Sequence, residues 1–245
     1  MSFNMSESPS VQQLALRMWL RESATFANYV AGTSVGSNAQ LVATLQQACG
    51  GGAERFIYLW GGDGVGKSHL LQAACHAATA IGEGSVYLPL SEPGLVPEML
   101  EGLEQMAVVA VDNLDAIASQ RDWETALFHL YNRIRDQGHG VLLVAANQPL
   151  AVQPLTLPDL HSRLAWGLVF QLQTLSDAEK LAALQQRAHQ RGFELSEDVG
   201  RYLLRHYQRD MSALFELLEL LDQRSLAQQR RLTIPFVKEV IGSES

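Results

Sequence analysis

Short apolar runs alternate with stretches of helical periodicity along most of the chain. Phe56–Trp60, Ser85–Leu90, Ala107–Val111, Gly140–Ala146 and Gly167–Leu172 are strand-sized and rich in Val, Leu and aromatic residues. Between them, apolar positions recur at helical spacing from Lys67, near Val96 to Gln105, and from Arg121 to Asp136. Five candidate strands separated by helices predict an α/β fold, a five-stranded parallel sheet flanked by helices, because parallel neighbours need crossover connections. After Thr174 the period stays helical: Ala178–Gln190, Glu197–His206, Met211–Gln229 and Pro235–Ile241 follow one another, with Ser176, Asp177 and Thr233 as cap-type residues. The expected division is an N-terminal segment over 1–21, an α/β subdomain over 22–173 and a small all-α subdomain over 174–245.

Composition narrows the function classes. A chain of 245 residues, 47% hydrophobic, is long enough to bury a core for such a fold. Its net charge of −8 lacks the positive field that phosphate-backbone binding needs, which disfavours tight direct DNA binding. Cys49 and Cys75 have no paired zinc-site spacing and read as reduced thiols. The seven histidines show no metal spacing either, and His69, His76, His129 and His206 read as helix-face residues. No stretch approaches a membrane span, and the polar, Ser-rich start MSFNMSESPS lacks the order of a signal peptide. The expected location is cytoplasmic.

The sharpest chemical signal is Gly61-Gly62-Asp63-Gly64-Val65-Gly66-Lys67-Ser68, a full G-x-x-x-x-G-K-[ST] phosphate loop between the run FIYLW and the helical HLLQAACHAA. Its glycines let backbone N–H groups wrap a phosphate chain, Lys67 adds a cation, and Ser68 offers a hydroxyl to Mg²⁺ at a helix N-terminus. Val108-Val109-Ala110-Val111-Asp112 is an apolar run ending in a carboxylate, the place where phosphate-loop proteins hold the Mg²⁺ shell. Asn113 follows it, and an amide cannot accept a proton from an attacking water. Asp115 is either a substitute acid or a cap of the next segment.

These motifs resemble the DnaA-related AAA+ proteins, and the resemblance covers almost the whole chain. Thr25-Phe26-Ala27-Asn28-Tyr29-Val30, followed by Gly32, is similar to the family's base-lining segment, which implies Phe26, Tyr29 and Val30 in base contact and His69 in the loop's His-Leu extension. The resemblance puts the first sensor at Asn147, although an Asn at a strand end is also a common turn former. Leu157 to Leu168 resembles the box that carries the arginine finger, with Arg163 at the matching position; read from the residues alone, Arg163 could equally pair with Asp159 on the surface. A second sensor arginine is expected in the helical part, where Ser212 aligns and Arg209 lies one turn earlier. KEVIGSES stands where DnaA continues into its helix-turn-helix DNA-binding domain, which agrees with the acidic charge.

Gln13-Leu14-Ala15-Leu16-Arg17-Met18 resembles the short sliding-clamp-binding peptide of bacterial replication proteins, with Gln13 at a pocket rim and Leu14, Leu16 and Met18 filling apolar depressions. The alternative is an amphipathic helix packed on its own domain. Taken together, the resemblance implies a negative regulator of replication initiation. Such a protein would hold a nucleoside diphosphate, ADP first among them, with Mg²⁺. It would bind the sliding clamp (β subunit) of DNA polymerase III, meet DNA only through that clamp, touch no membrane, self-associate, and supply Arg163 in trans to ATP-bound DnaA while having weak or no ATPase activity of its own. The competing expectations are an autonomous ATPase of helicase-loader type and a nucleotide-locked adaptor.

Overall fold

The computed structural model describes residues 20–21, 23–32, 37–207 and 210–242. Five strands form one sheet: β1 (Phe56–Trp60), β2 (Ser85–Pro89), β3 (Val108–Asp112), β4 (Val141–Ala146) and β5 (Leu168–Gln171), in the order β2-β3-β4-β1-β5 with every pairing parallel. β3 and β4 are buried along their whole length, as expected of strands covered on both faces. Pro89 cannot donate to a ladder, and it stands at the end of the edge strand β2, where that loss is tolerated.

The helices of this part are α1 (Ser37–Cys49), α2 (Lys67–Ala80), α3 (Arg121–Gln137) and α4 (Pro158–Trp166). α3 shows why the pattern forms a helix: Trp123, Leu127, Leu130, Tyr131 and Ile134 make one apolar face, and that face enters the core built on Tyr58, Val109, Val111, Leu142 and Val144. Tyr131 stacks on Phe56 of β1 with ring centroids 4.0 Å apart. Cys75 is buried and Cys49 partly so; burial pushes their thiols up to about 12 and about 11, so neither is an ionised thiolate near neutral pH.

One expectation is corrected. The segment from Val96 to Gln105 is not a helix but two 3-10 turns, Pro97–Leu100 and Leu103–Gln105. Gly102 separates them at φ +77°, a left-handed conformation that no continuous right-handed helix passes through, while Leu100 and Leu103 still reach the core. Two helices, α1 and α4, had no counterpart in the periodicity.

The residues from Gln173 onward build a second compact unit, which also takes in the short stretches around Gly32 and Asp63–Gly66; the sheet belongs to the first unit. Its helices are α5 (Asp177–Gln190), α6 (Glu197–His206), α7 (Met211–Gln228) and α8 (Ile234–Gly242). Ser176 opens α5 with a complete capping box, its hydroxyl accepting from Glu179 N–H and the Glu179 carboxylate accepting from Ser176 N–H. Thr233 caps α8 by accepting from Phe236 N–H at 3.4 Å. Leu184, Leu203, Leu214, Leu218, Leu221 and Phe236 fill this unit's own core, and Arg191 bridges Glu219 and Asp222 across α5 and α7. Among the described residues no helix is long and apolar enough to cross a membrane.

A buried carboxylate holds the loops around α4. Glu124 on α3 is fully buried, and its oxygens accept from Ser119 N–H at 2.9 Å, Thr156 N–H at 3.1 Å, Thr156 Oγ1–H at 2.9 Å and Leu157 N–H at 2.7 Å. Leu157 is the residue before α4, so Glu124 supplies the helix entry with the acceptor that its N-cap side chain cannot offer. Glu124→Gln turns one of these two acceptors into a donor facing donors. It is expected to cost about 1–3 kcal/mol of unfolding free energy, read as a lower midpoint in urea denaturation; an unchanged midpoint would show that the four bonds do not hold the loops.

Candidate functional site

Because all five strands run the same way, the loops after β1, β3 and β4 emerge at one sheet edge, the general location of ligands in open α/β sheets. β1 pairs with β4 so that Trp60 lies opposite Ala146, and Gly61 N–H donates to Ala146 O at 3.3 Å. The phosphate loop therefore starts beside the end of β4. Gly64 and Gly66 take φ +72° and +98°, conformations costly to residues with a Cβ, and the chain then enters α2 at Lys67. Asp63 is exposed and Val65 half-buried. The Lys67 ammonium, only 6% exposed, donates to the carbonyls of Gly61 and Gly62, each at 2.8 Å, which holds the cation over the loop.

Asp112 ends β3 with no exposed surface. Its Oδ1 accepts from Asn113 N–H at 2.9 Å and its Oδ2 accepts from the Tyr87 hydroxyl at 2.7 Å. Tyr87, on β2, was not singled out by the sequence. Burial drives its phenol well above the usual range and the Asp112 charge adds to this, whereas the polar groups of Gln72 and Ser68 nearby pull the other way. The phenol thus holds Asp112, which with Ser68 makes up the pair of groups expected on the metal side. Hard oxygens from a hydroxyl and a carboxylate suit Mg²⁺, and loop amides with a fixed ammonium suit a diphosphate, so the residues present fit both groups. When bound, such a cation would neutralise phosphate charge.

Asn113 stands at φ +58°, in the left-handed region that Asn tolerates, and its Oδ1 accepts from the Ser91 hydroxyl at 3.1 Å. Asp115 has a role that neither sequence alternative described. Its Oδ2 accepts from Asn147 N–H at 2.6 Å and its Oδ1 from Gln153 Nε2 at 2.8 Å, while the Tyr58 hydroxyl donates to Gln148 O at 2.8 Å. The turn after β4 is therefore pinned at two successive residues, which leaves the Asn147 side chain exposed at the sheet edge.

The segment before the loop is stitched to α2. His69 Nε2–H donates to Thr25 O at 2.8 Å, Gln72 Oε1 accepts from Arg21 N–H at 2.8 Å, and His76 Nε2–H donates to Arg21 O at 3.0 Å. These three side chains lie one turn apart on one face of α2, a spacing that could have revealed them as a polar stripe on an otherwise apolar helix. Tyr29 lies 5.7 Å from the His69 ring, and burial pushes its phenol up to about 12; Phe26 is half-buried in the adjacent 3-10 turn. Val30 belongs to the second unit. Gln13, Leu14, Leu16, Met18 and Arg209 lie outside the described residues, as does the Ser212 side chain.

Arg163 sits in the last turn of α4, half-buried, with its guanidinium over the Trp166 ring at 4.8 Å from the centroid. No ion pair joins it to Asp159, so the surface-pair alternative is not realised.

Three family models match the chain. The model for the Hda lid domain matches residues 177–241, that for the bacterial DnaA ATPase domain residues 20–88, and that for the ATPase family associated with various cellular activities (AAA) residues 57–166. Among solved structures, domain III of the replication initiation protein DnaA from Thermotoga maritima is 19% identical, with a TM-score of 0.71 over 91% of this chain and 98% of that one. DnaA from Aquifex aeolicus, solved with AMPPCP, is 20% identical with a TM-score of 0.68; the match takes in 82% of this chain and 66% of the Aquifex protein. RuvB from Thermotoga maritima is 15% identical with a TM-score of 0.63 over 89% of this chain and 73% of its own length. At these identities the solved structures speak for the fold.

Two substitutions probe the site. With ADP and Mg²⁺ at about a hundred times Kd, the wild-type chain is expected to gain about 2.7 kcal/mol, seen as a raised melting temperature, and Lys67→Ala to lose that gain; a retained shift would remove the phosphate-loop assignment. Tyr87→Phe strips a hydrogen bond from a fully buried carboxylate and should cost about 1–3 kcal/mol in chemical denaturation.

Proposed function

We propose that this chain, an AAA+ protein related to Hda and DnaA, is a nucleotide-bound regulator of replication initiation that promotes hydrolysis of the ATP held by DnaA. It holds a nucleoside diphosphate, ADP first among candidates, with Mg²⁺. The phosphates rest on Gly61–Ser68, and the metal side is formed by Ser68 and Asp112. Phe26, Tyr29 and Val30 are the candidates for base contact, and His69, Asn147 and Arg209 complete the nucleotide-binding set. The Aquifex DnaA solved with AMPPCP supports nucleotide binding on this fold.

One observation carries the choice of a regulator over a self-sufficient ATPase. The position after Asp112 is an amide, Asn113, and the nearby acid Asp115 is already occupied by Asn147 N–H and the Gln153 amide. An amide cannot take a proton from water, and the hydrogen bonds already made by Asp115 disfavour it as a base, which supports the regulator reading. Arg163, by contrast, has no ion pair among the described residues that would cancel its charge, and a guanidinium offered to a neighbour's γ-phosphate stabilises the charge that develops during transfer. The chemistry then takes place in DnaA's site. Gln13, Leu14, Leu16 and Met18 dock the chain on the DNA-loaded sliding clamp, which brings it to DNA despite a net charge of −8, and contact between copies of the chain accompanies the assembly. The protein works in the cytoplasm.

The test measures single-turnover hydrolysis of ATP bound to DnaA, with the full chain and DNA-loaded clamp present. Arg163→Ala is expected to keep the ADP-induced thermal shift and to lose the stimulation, within the roughly 10³–10⁵-fold range that an arginine finger contributes. Stimulation at the wild-type rate would defeat the reading, whereas repeated turnover by the chain alone, lost in Lys67→Ala, would favour an autonomous ATPase.

A further inference from the structure

We infer that Trp166 is a positioning residue for Arg163, an inference that rests on the arginine-finger reading above. The two side chains are three residues apart on α4 and so share a face of the helix. The guanidinium lies over the indole ring at 4.8 Å from its centroid, within the range of a cation–π contact. A contact with the ring takes no acceptor oxygen, whereas a salt bridge would spend the N–H edge of the guanidinium on a carboxylate.

The setting of α4 gives the contact its direction. Leu160 and Leu164 are buried, which fixes the rotation of the helix about its axis and leaves Arg163 half-buried beside them with Trp166 toward solvent. Glu124 fixes where the helix begins. Gly167 fixes where it ends, since a Cβ there would run into the Phe56 carbonyl of β1. Both ends are thus held by the first unit, and the remaining freedom belongs to the long Arg163 side chain itself.

Trp166 is 73% exposed, so its ring contributes little to the hydrophobic core. What it does contribute is a platform. An arginine that must reach a phosphate in another molecule loses rotamer freedom on doing so; a stacked ring takes part of that freedom away beforehand and raises the fraction of molecules whose guanidinium is already presented. Trp166 touches neither nucleotide nor the reacting atoms, and acts only through Arg163.

The experiment compares wild type, Trp166→Ala, Trp166→Phe and Arg163→Ala as full-length proteins with two readouts. The first, without DnaA, follows the Arg163 Nε–Hε resonance, assigned by its loss in Arg163→Ala; the ring current should shift it in wild type, less in Trp166→Phe and not in Trp166→Ala. The second is the stimulated hydrolysis of DnaA-bound ATP as a function of the chain's concentration. Trp166→Ala is expected to lower the maximal rate about two- to five-fold, with the half-saturating concentration unchanged and most of the loss restored in Trp166→Phe. An Arg163 resonance that ignores Trp166→Ala overturns the inference. A raised half-saturating concentration at full maximal rate also overturns it, because Trp166 would then be a contact to the partner. Wild-type stimulation by Trp166→Ala beside an inactive Arg163→Ala overturns the inference alone; wild-type stimulation by Arg163→Ala overturns the finger reading and this inference with it.

Discussion

Parallel pairing of β1 with β4, and of β4 with β3, is the constraint on which the candidate site depends. In a parallel sheet every strand delivers its following loop to the same edge, so the phosphate loop, Asp112 and Asn147 meet there although dozens of residues separate them in the chain. The register carries this further. Trp60 opposite Ala146 sets the first residue of the loop against the last residue of β4. A shift of one position would move each β1 side chain to the other face of the sheet, so the seat of the buried Tyr58 and the loop geometry are chosen together.

Around that edge, buried acceptors do the work that regular secondary structure cannot do in loops. Asp112 is tied to Tyr87, Asp115 to the turn after β4, and Glu124 to the entry of α4. An unpartnered carboxylate in such surroundings would be expensive, so these acids impose positions on the backbone N–H groups they accept from. The same logic separates two kinds of acid near the nucleotide edge. Asp115 spends both carboxylate oxygens on the turn after β4, whereas Asp112 accepts from the residue beside it and from a phenol on the neighbouring strand.

α2 joins two tasks. Its first residues, Lys67 and Ser68, close the phosphate loop, and its polar stripe of His69, Gln72 and His76 holds the backbone of Arg21 and Thr25. The helix that would feel a phosphate at its N-terminus is therefore also the helix that anchors the backbone at Arg21 and Thr25. Burial supports both: Leu70, Leu71, Ala73, Ala74 and Cys75 leave α2 little room to move independently of the sheet.

The amino-acid sequence by itself determined whatever depends on near neighbours in the chain. Strand-sized apolar runs, helical periods, the Ser176 cap and the contiguous phosphate loop were all legible, because periodicity and glycine spacing act over a few residues. Only the tertiary structure decided what depends on residues far apart: that Asp115 braces Asn147, that Tyr87 holds Asp112, that Glu124 seats α4, and that Arg163 lies on Trp166 instead of pairing with Asp159. The false helix near Val96 marks the border between the two, since Leu100 and Leu103 have helical spacing while Gly102 takes a left-handed turn between them. The physical reason is common to all these cases. Hydrogen-bond partners and burial are chosen by which surfaces the sheet brings together, and a linear pattern of polar and apolar positions says that a side chain will be buried without saying against what.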